Sequence, residues 1–202
     1  MRFPLTLLIF VLVCTSGRAQ SNDGMTLESE ENGVRVYVRA EDNGDMTVRV
    51  VTQARTQVQA VQEVLDATKR YPEWVHRCDE AYSVAGGTAN NYVFVSGIDM
   101  PFPFRDKEVV ARVEQHRQSD GSLIRTITSE PNAIPETKGR DRLTVYSGEW
   151  VITPLADGEV ELQCTVRTDA GAGLPNWLRK EIMTGGPSKT ITNLRERLSP
   201  AR

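Results

Sequence analysis

The stretch DAGAGLPNWLRKEIMTGGPSKTITNLRERL, residues 169–198, restricts the fold more than any other part of the chain. Leu174, Trp177, Leu178 and Ile182, then Ile191, Leu194 and Leu198, recur at spacings of three or four. Arg179, Lys180, Glu181, Lys189, Arg195, Glu196 and Arg197 fill the other faces. An amphipathic helix of this kind cannot bury its apolar stripe by itself, so the preceding chain must supply a surface that receives it. Pro175 stands where a first-turn proline is tolerated, because its missing N–H has no helical partner there. Gly185-Gly186-Pro187 interrupts the run. Glycine is entropically unfavourable inside a helix and proline removes a backbone bond, so the helix is expected to loosen or kink midway.

Upstream, the pattern is that of strands. MTLESEENGVRVYVRAEDNGDMTVRVVTQAR alternates in three runs parted by Glu31-Asn32-Gly33 and Asn43-Gly44-Asp45, and Asn-Gly between alternating runs is a strong hairpin signal. Val34, Val36 and Val38 share one face, and Val48, Val50, Thr52 and Ala54 continue it. At Val58 the period changes: Val58, Val61, Val64 and Leu65 predict a short helix ending near Lys69, with Tyr71-Pro72 and Trp74-Val75 as its irregular exit. Six further strands are expected over 81–85, 92–98, 109–113, 123–129, 143–153 and 160–168, with polar, glycine-bearing turns between them. The fold class is therefore α+β, a curved antiparallel sheet of about nine strands around a long C-terminal helix. A helix only ~10–12 Å across does not fill the concavity of such a sheet, so a cavity is expected.

The first residues follow a different logic. Arg2, an apolar run from Leu5 to Cys14 and then Gly17-Arg18-Ala19 read as a signal peptide over 1–19, cut before Gln20. The run falls short of the ~20 apolar residues of a membrane span. A polar segment at 20–24 is expected to be disordered, and the protein to be exported, periplasmic or secreted. With 39% hydrophobic residues in 202, the remainder suffices for one domain with a real core. A formal charge of −3 and the lack of any long basic run exclude the phosphate-neutralising stripe of a nucleic-acid binder. An oxidising compartment permits a bridge between Cys78 and Cys164. Nothing in the sequence brings them within bridging distance, and unpaired cysteines are also common as small buried residues, so their pairing stays open. His76 and His116 lie far apart, with neither a Gly-x-Ser-x-Gly elbow nor Cys-x-x-Cys spacing, so no triad, metal site or cofactor is expected. Gly171-Ala172-Gly173 lacks the third glycine of a dinucleotide loop.

The order of these elements, and above all the final segment, resembles the START family of lipid-transfer domains. There a strand ends in an Asp-x-Gly-Gly-like turn, a Leu/Ile-Pro-x-Trp-Leu opens the last helix, and a Gly-Pro precedes a Thr-Leu-x-x-Leu-Arg-like close. The run GEWVITPLADGEVELQC, 148–164, resembles the family's Trp-bearing penultimate hairpin. One departure stands out: an Asp-Arg-Asp in the family reads Asp106-Lys107-Glu108 here, with Arg105 beside it. The resemblance covers 25–198. It implies a helix-grip fold and a hydrophobic tunnel between sheet and last helix. It also implies carriage of one lipid or other hydrophobic small molecule without covalent chemistry. A monomer that touches membranes transiently is expected.

On that basis Phe94, Ser96, Val109, Ala111, Val113, Trp150, Trp177, Leu178, Ile182 and Ile191 are expected to line the tunnel. The connection IDMPFPFRDK, 98–107, is unusually apolar, and its Met100, Phe102 and Phe104 are expected to form a lid that contacts a bilayer. Arg105, Asp106 and Arg112 are candidates for a polar head group. Arg125, Arg142, Glu149 and Arg167 also lie in apolar strands, where a charge must be paired if it faces inward. Two other readings stand beside carriage. One is a cyclase- or hydrolase-like cavity enzyme using His116 or Glu108 as a base. The other is a non-catalytic envelope interaction module with a solid interior.

Overall fold

In the computed structural model, residues 24–42, 45–169 and 173–199 are described. The expected signal peptide, all of the polar segment 20–24 but Gly24, the Asn43-Gly44 turn and Gly171-Ala172 lie outside them. Ten strands run as β1 (Thr26–Glu31), β2 (Val34–Ala40), β3 (Met46–Ala54), β4 (Ala81–Ser83), β5 (Asn91–Ile98), β6 (Lys107–Arg117), β7 (Leu123–Ser129), β8 (Asp141–Arg142), β9 (Tyr146–Pro154) and β10 (Val160–Thr168). Helix α1 (Val58–Asp66) and a 3-10 segment (Thr68–Glu73) separate β3 from β4. The chain closes with α2 (Asn176–Lys180), a π turn (Glu181–Gly185) and α3 (Gly186–Leu198). The strand expected at 143–153 begins only at Tyr146, and a strand not expected from the sequence, Asp141-Arg142, precedes it and pairs in parallel with Lys107-Glu108 at the start of β6.

The sheet order β1-β2-β3-β10-β9-β7-β6-β5-β4 places β3 beside β10, so the N-terminal hairpins continue the C-terminal ones in one surface. Directly opposed residues share a face, so the registers define inward rows. One row runs Val38, Val48, Val166, Gly148, Ile127, Val113 and Tyr92. The next runs Val36, Val50, Cys164, Trp150, Arg125 and Gln115. These rows form the concave face. Helix α3 crosses it over β2 and β3, buried through Ile191 and Leu194, and Leu178 of α2 is as fully buried.

Two ionic clusters brace this frame. Arg125 is only 1% exposed, and its inward guanidinium meets α1 and the 3-10 segment. It donates from Nη1 to Asp66 Oδ1 (2.8 Å) and Gln115 Oε1 (3.0 Å), and from Nη2 to the Leu65 carbonyl (3.0 Å) and the Tyr92 hydroxyl. On the opposite face of β6, Glu108 is 2% exposed and receives Nε (2.9 Å) and Nη2 of Arg142. The same guanidinium donates to the Pro131, Ile134 and Pro135 carbonyls, so it straps the 130–140 connection across the back of the sheet. Cys78 and Cys164 are free thiols. No helix among the described residues is long and apolar enough to cross a membrane.

Candidate ligand cavity

A cavity of about 180 Å³ lies between the concave face and the break in the closing helix. Its sheet wall carries Val48, Phe94, Ser96, Ile98, Val109, Ile127, Tyr146, Gly148, Trp150, Cys164, Val166 and Thr168. The helix wall is Ile182, Met183, Gly186, Pro187 and Thr190, and the third side is Tyr71, Trp74, Val75, His76 and Arg77. The helix wall exists because the helix changes pitch. Pro187 has no N–H to give, and the Gly186 N–H reaches back five residues to the Glu181 carbonyl. The Thr184 hydroxyl donates to the Lys180 carbonyl at 2.8 Å, which satisfies an acceptor inside the disturbed turn.

The third side is stitched to the helix. The His76 N–H donates to Thr190 Oγ1 (3.1 Å), and Asn193 Nδ2 donates to the Trp74 carbonyl (2.9 Å). His76 Nε2 lies 3.3 Å from Glu181 Oε1, which Lys189 Nζ also approaches at 2.7 Å. Those partners, Lys189 first, hold the Glu181 carboxyl below its ordinary range. Arg77 turns the chain toward β4 with a positive φ of 58°, and its backbone carbonyl accepts from the Asp99 N–H at 2.8 Å. Inside the cavity, burial pushes the Cys164 thiol up to about 12 and raises the Tyr146 phenol, so both are neutral donors at physiological pH. Ser96 Oγ lies 3.4 Å from Cys78 Sγ.

Of the residues expected to line a tunnel, Phe94, Ser96, Val109, Trp150 and Ile182 face this cavity. Ala111 and Val113 do not. They share its face but are shorter than their opposed neighbours, Phe94 beside Ala111 and Tyr92 and Ile127 beside Val113, and they are buried beneath them. Leu178 and Ile191 are used up as anchors of the helix on the core, and Trp177, on the first turn of α2, is 66% exposed instead of inward. The lid expectation also needs correction. Met100 is buried, its N–H held by Asp106 Oδ1 at 2.9 Å, and Phe104 is half-buried, which leaves Phe102 (96% exposed) as the protruding residue.

The expected head-group residues do not line the cavity. Arg105 pairs with Asp141 at 3.2 Å, Asp106 holds the Met100 turn, and Arg112 points to the outer face against Glu130 and Asn91. The two possible bases also lie elsewhere. His116 is exposed beside Gln118, and Glu108 is on the far face with Arg142. The segment 74–77 escaped sequence reasoning because it has no period. Its one signal is the aromatic pair Tyr71 and Trp74 directly after a helix.

Comparison with known proteins agrees with this architecture. A protein of uncharacterised function from Pseudomonas aeruginosa is 30% identical over 192 residues, 95% of this chain and 94% of that protein. The crystal structure of a STAR-related lipid transfer protein (fragment 25–204) from Xanthomonas axonopodis superposes with a TM-score of 0.78 at 23% identity, covering 87% of this chain and 99% of that one. Human StAR-related lipid transfer protein 5 does so at 0.75 and 18% identity, over 89% and 88%. These two structures establish the helix-grip fold. With the START domain model matching residues 17–201, the chain belongs to the START domain family.

Proposed function

We propose that the protein is an exported, monomeric carrier that holds one hydrophobic ligand, a lipid or a similar small molecule, between sheet and closing helix without covalent chemistry. The observation that carries this reading is the largely apolar cavity at the break in the helix. Its volume is below the ~300–1,000 Å³ of typical ligand pockets. Loading a full acyl chain therefore requires the helix wall to yield, and the π turn before Pro187 is where it does so. Contact with a membrane lowers the barrier to transfer, since exposing acyl chain to water costs about 0.8 kcal/mol per CH₂. The exposure of Phe102 supports it as the residue that makes that contact. The pattern of residues 1–19 supports export, which the N-terminal mass of protein recovered from a cell-envelope fraction would test.

A Cβ on Gly148 would meet Ile127 Cδ1 at 3.4 Å and the Thr165 carbonyl at 3.6 Å, ordinary contacts, so Gly148→Leu puts its extra carbons into the cavity. We expect the affinity for a fluorescent fatty acid to drop at least about tenfold with the Tm nearly unchanged. Undiminished binding would place the ligand elsewhere and overturn the reading. For Phe102→Asp the expected change in stability is within ~0.5 kcal/mol, because the ring packs on little. Transfer between vesicles should nevertheless slow several-fold, and an unaltered transfer rate would remove Phe102 from the membrane contact.

A further inference from the structure

Among the described residues, the cavity lining includes one arginine, one histidine and no carboxylate. His76 is engaged by Glu181, which stands outside the lining and is shared with Lys189. Arg77 has no such partner. It forms no ion pair among the described residues, its Nη1 makes only a long bond to the Asp99 carbonyl (3.3 Å), and its Nε is buried with no acceptor. The acidic residue nearest in sequence, Asp79, is gripped through both oxygens by Arg140, at 3.0 and 2.5 Å. A second donor is in the same condition: Trp74 is 4% exposed, and its Nε1–H is buried without an acceptor. The Tyr146 hydroxyl, kept protonated by burial, makes no hydrogen bond among the described residues.

Buried donors left unpaired are expensive, and more so when charged, so native structures rarely keep them without a reason. Here Arg77, Trp74 and Tyr146 all line one apolar space, and the Arg77 Nε–H and Trp74 Nε1–H both lack an acceptor. Resting on the carrier reading above, we infer that the ligand's polar end is an anionic oxygen group, a carboxylate or a phosphate, bound by Arg77 with Trp74 as second donor. The planar guanidinium fork suits either group. Arg77 borders both Val75-His76 on the helix side and Asp99 beyond β5. The anion therefore sits at the rim while the tail extends toward Phe94, Ile127 and Trp150.

The test compares cis-parinaric acid with its methyl ester, two probes with the same tail. The wild-type protein should bind the acid about tenfold more tightly, the equivalent of ~1.4 kcal/mol. Arg77→Gln should lose that preference while keeping the ester affinity, which also reports that the variant is folded. Arg77→Lys should restore part of it, and Trp74→Phe should weaken the acid more than the ester. Displacement by lysophosphatidic acid or by oleic acid then tells phosphate from carboxylate, with monoolein as the neutral control that should displace poorly. Equal binding of acid and ester by wild type, or a preference retained in Arg77→Gln, would overturn the anionic head group and leave carriage standing. Absence of binding by either probe would remove both.

Discussion

Arg142→Met should lower the stability by about 5 kcal/mol, the upper end of what breaking one side of a buried ion pair removes. The effect falls at that end because Glu108 is left 2% exposed with no other cation paired to it among the described residues, and the Pro131, Ile134 and Pro135 carbonyls lose their common donor at the same time. Urea titration of the single variant measures the loss. A second variant separates the charge from the packing. Glu108→Leu combined with Arg142→Met removes both charges and leaves only carbonyls that solvent can reach, so it should recover about 2–3 kcal/mol relative to Arg142→Met alone. A single variant within 1 kcal/mol of wild type would mean that the strap contributes nothing.

Arg125→Met is expected to cost less, about 3 kcal/mol, although the arginine is the more deeply buried of the two. Asp66 keeps part of its surface in water and still receives Gln115 Nε2 at 3.0 Å, and the Leu65 carbonyl keeps the Tyr71 hydroxyl at 2.7 Å. The groups left wanting are the Tyr92 hydroxyl and Gln115 Oε1. For a domain of this size the loss corresponds to a Tm lower by roughly 6–12 °C. No single second substitution restores it, because the guanidinium serves partners on β5, β6, α1 and the 3-10 segment at once. A shift below 2 °C would show that water replaces the network.

The contrast between these arginines marks what a sequence carries. Alternation placed Arg125 and Arg142 in apolar strands, which says that each must be paired or exposed. It does not say which, because their partners come from distant segments. The strand faces around Val48, Phe94, Val109 and Trp150 were legible because period two is enforced by the pleat, and the helix interruption because glycine is entropically unfavourable in a helix and proline removes a backbone bond. Depth was not legible. Ala111 and Phe94 share a face, yet only the longer side chain reaches the cavity. Met100 and Phe102 share a loop, yet a hydrogen bond from the Met100 N–H to Asp106 holds the turn in which one is buried and the other protrudes. Segment 74–77 supplies the basic side chains of the cavity, His76 and Arg77, from a turn whose form depends on the closing helix it touches.

The pairing of β3 with β10 also has a consequence in time. Met46 meets Thr168 and Ala54 meets Val160, so the N-terminal hairpins acquire their neighbour only when nearly the whole chain is present. The remaining pairs are mostly hairpin neighbours and form from local segments. Closure of this one seam is the step with the largest loop entropy, and topologies dominated by such long-range pairing fold in about milliseconds to seconds. Until then β3 presents an open edge rich in valine, so the vulnerable species during synthesis is a half-sheet still waiting for its last strand.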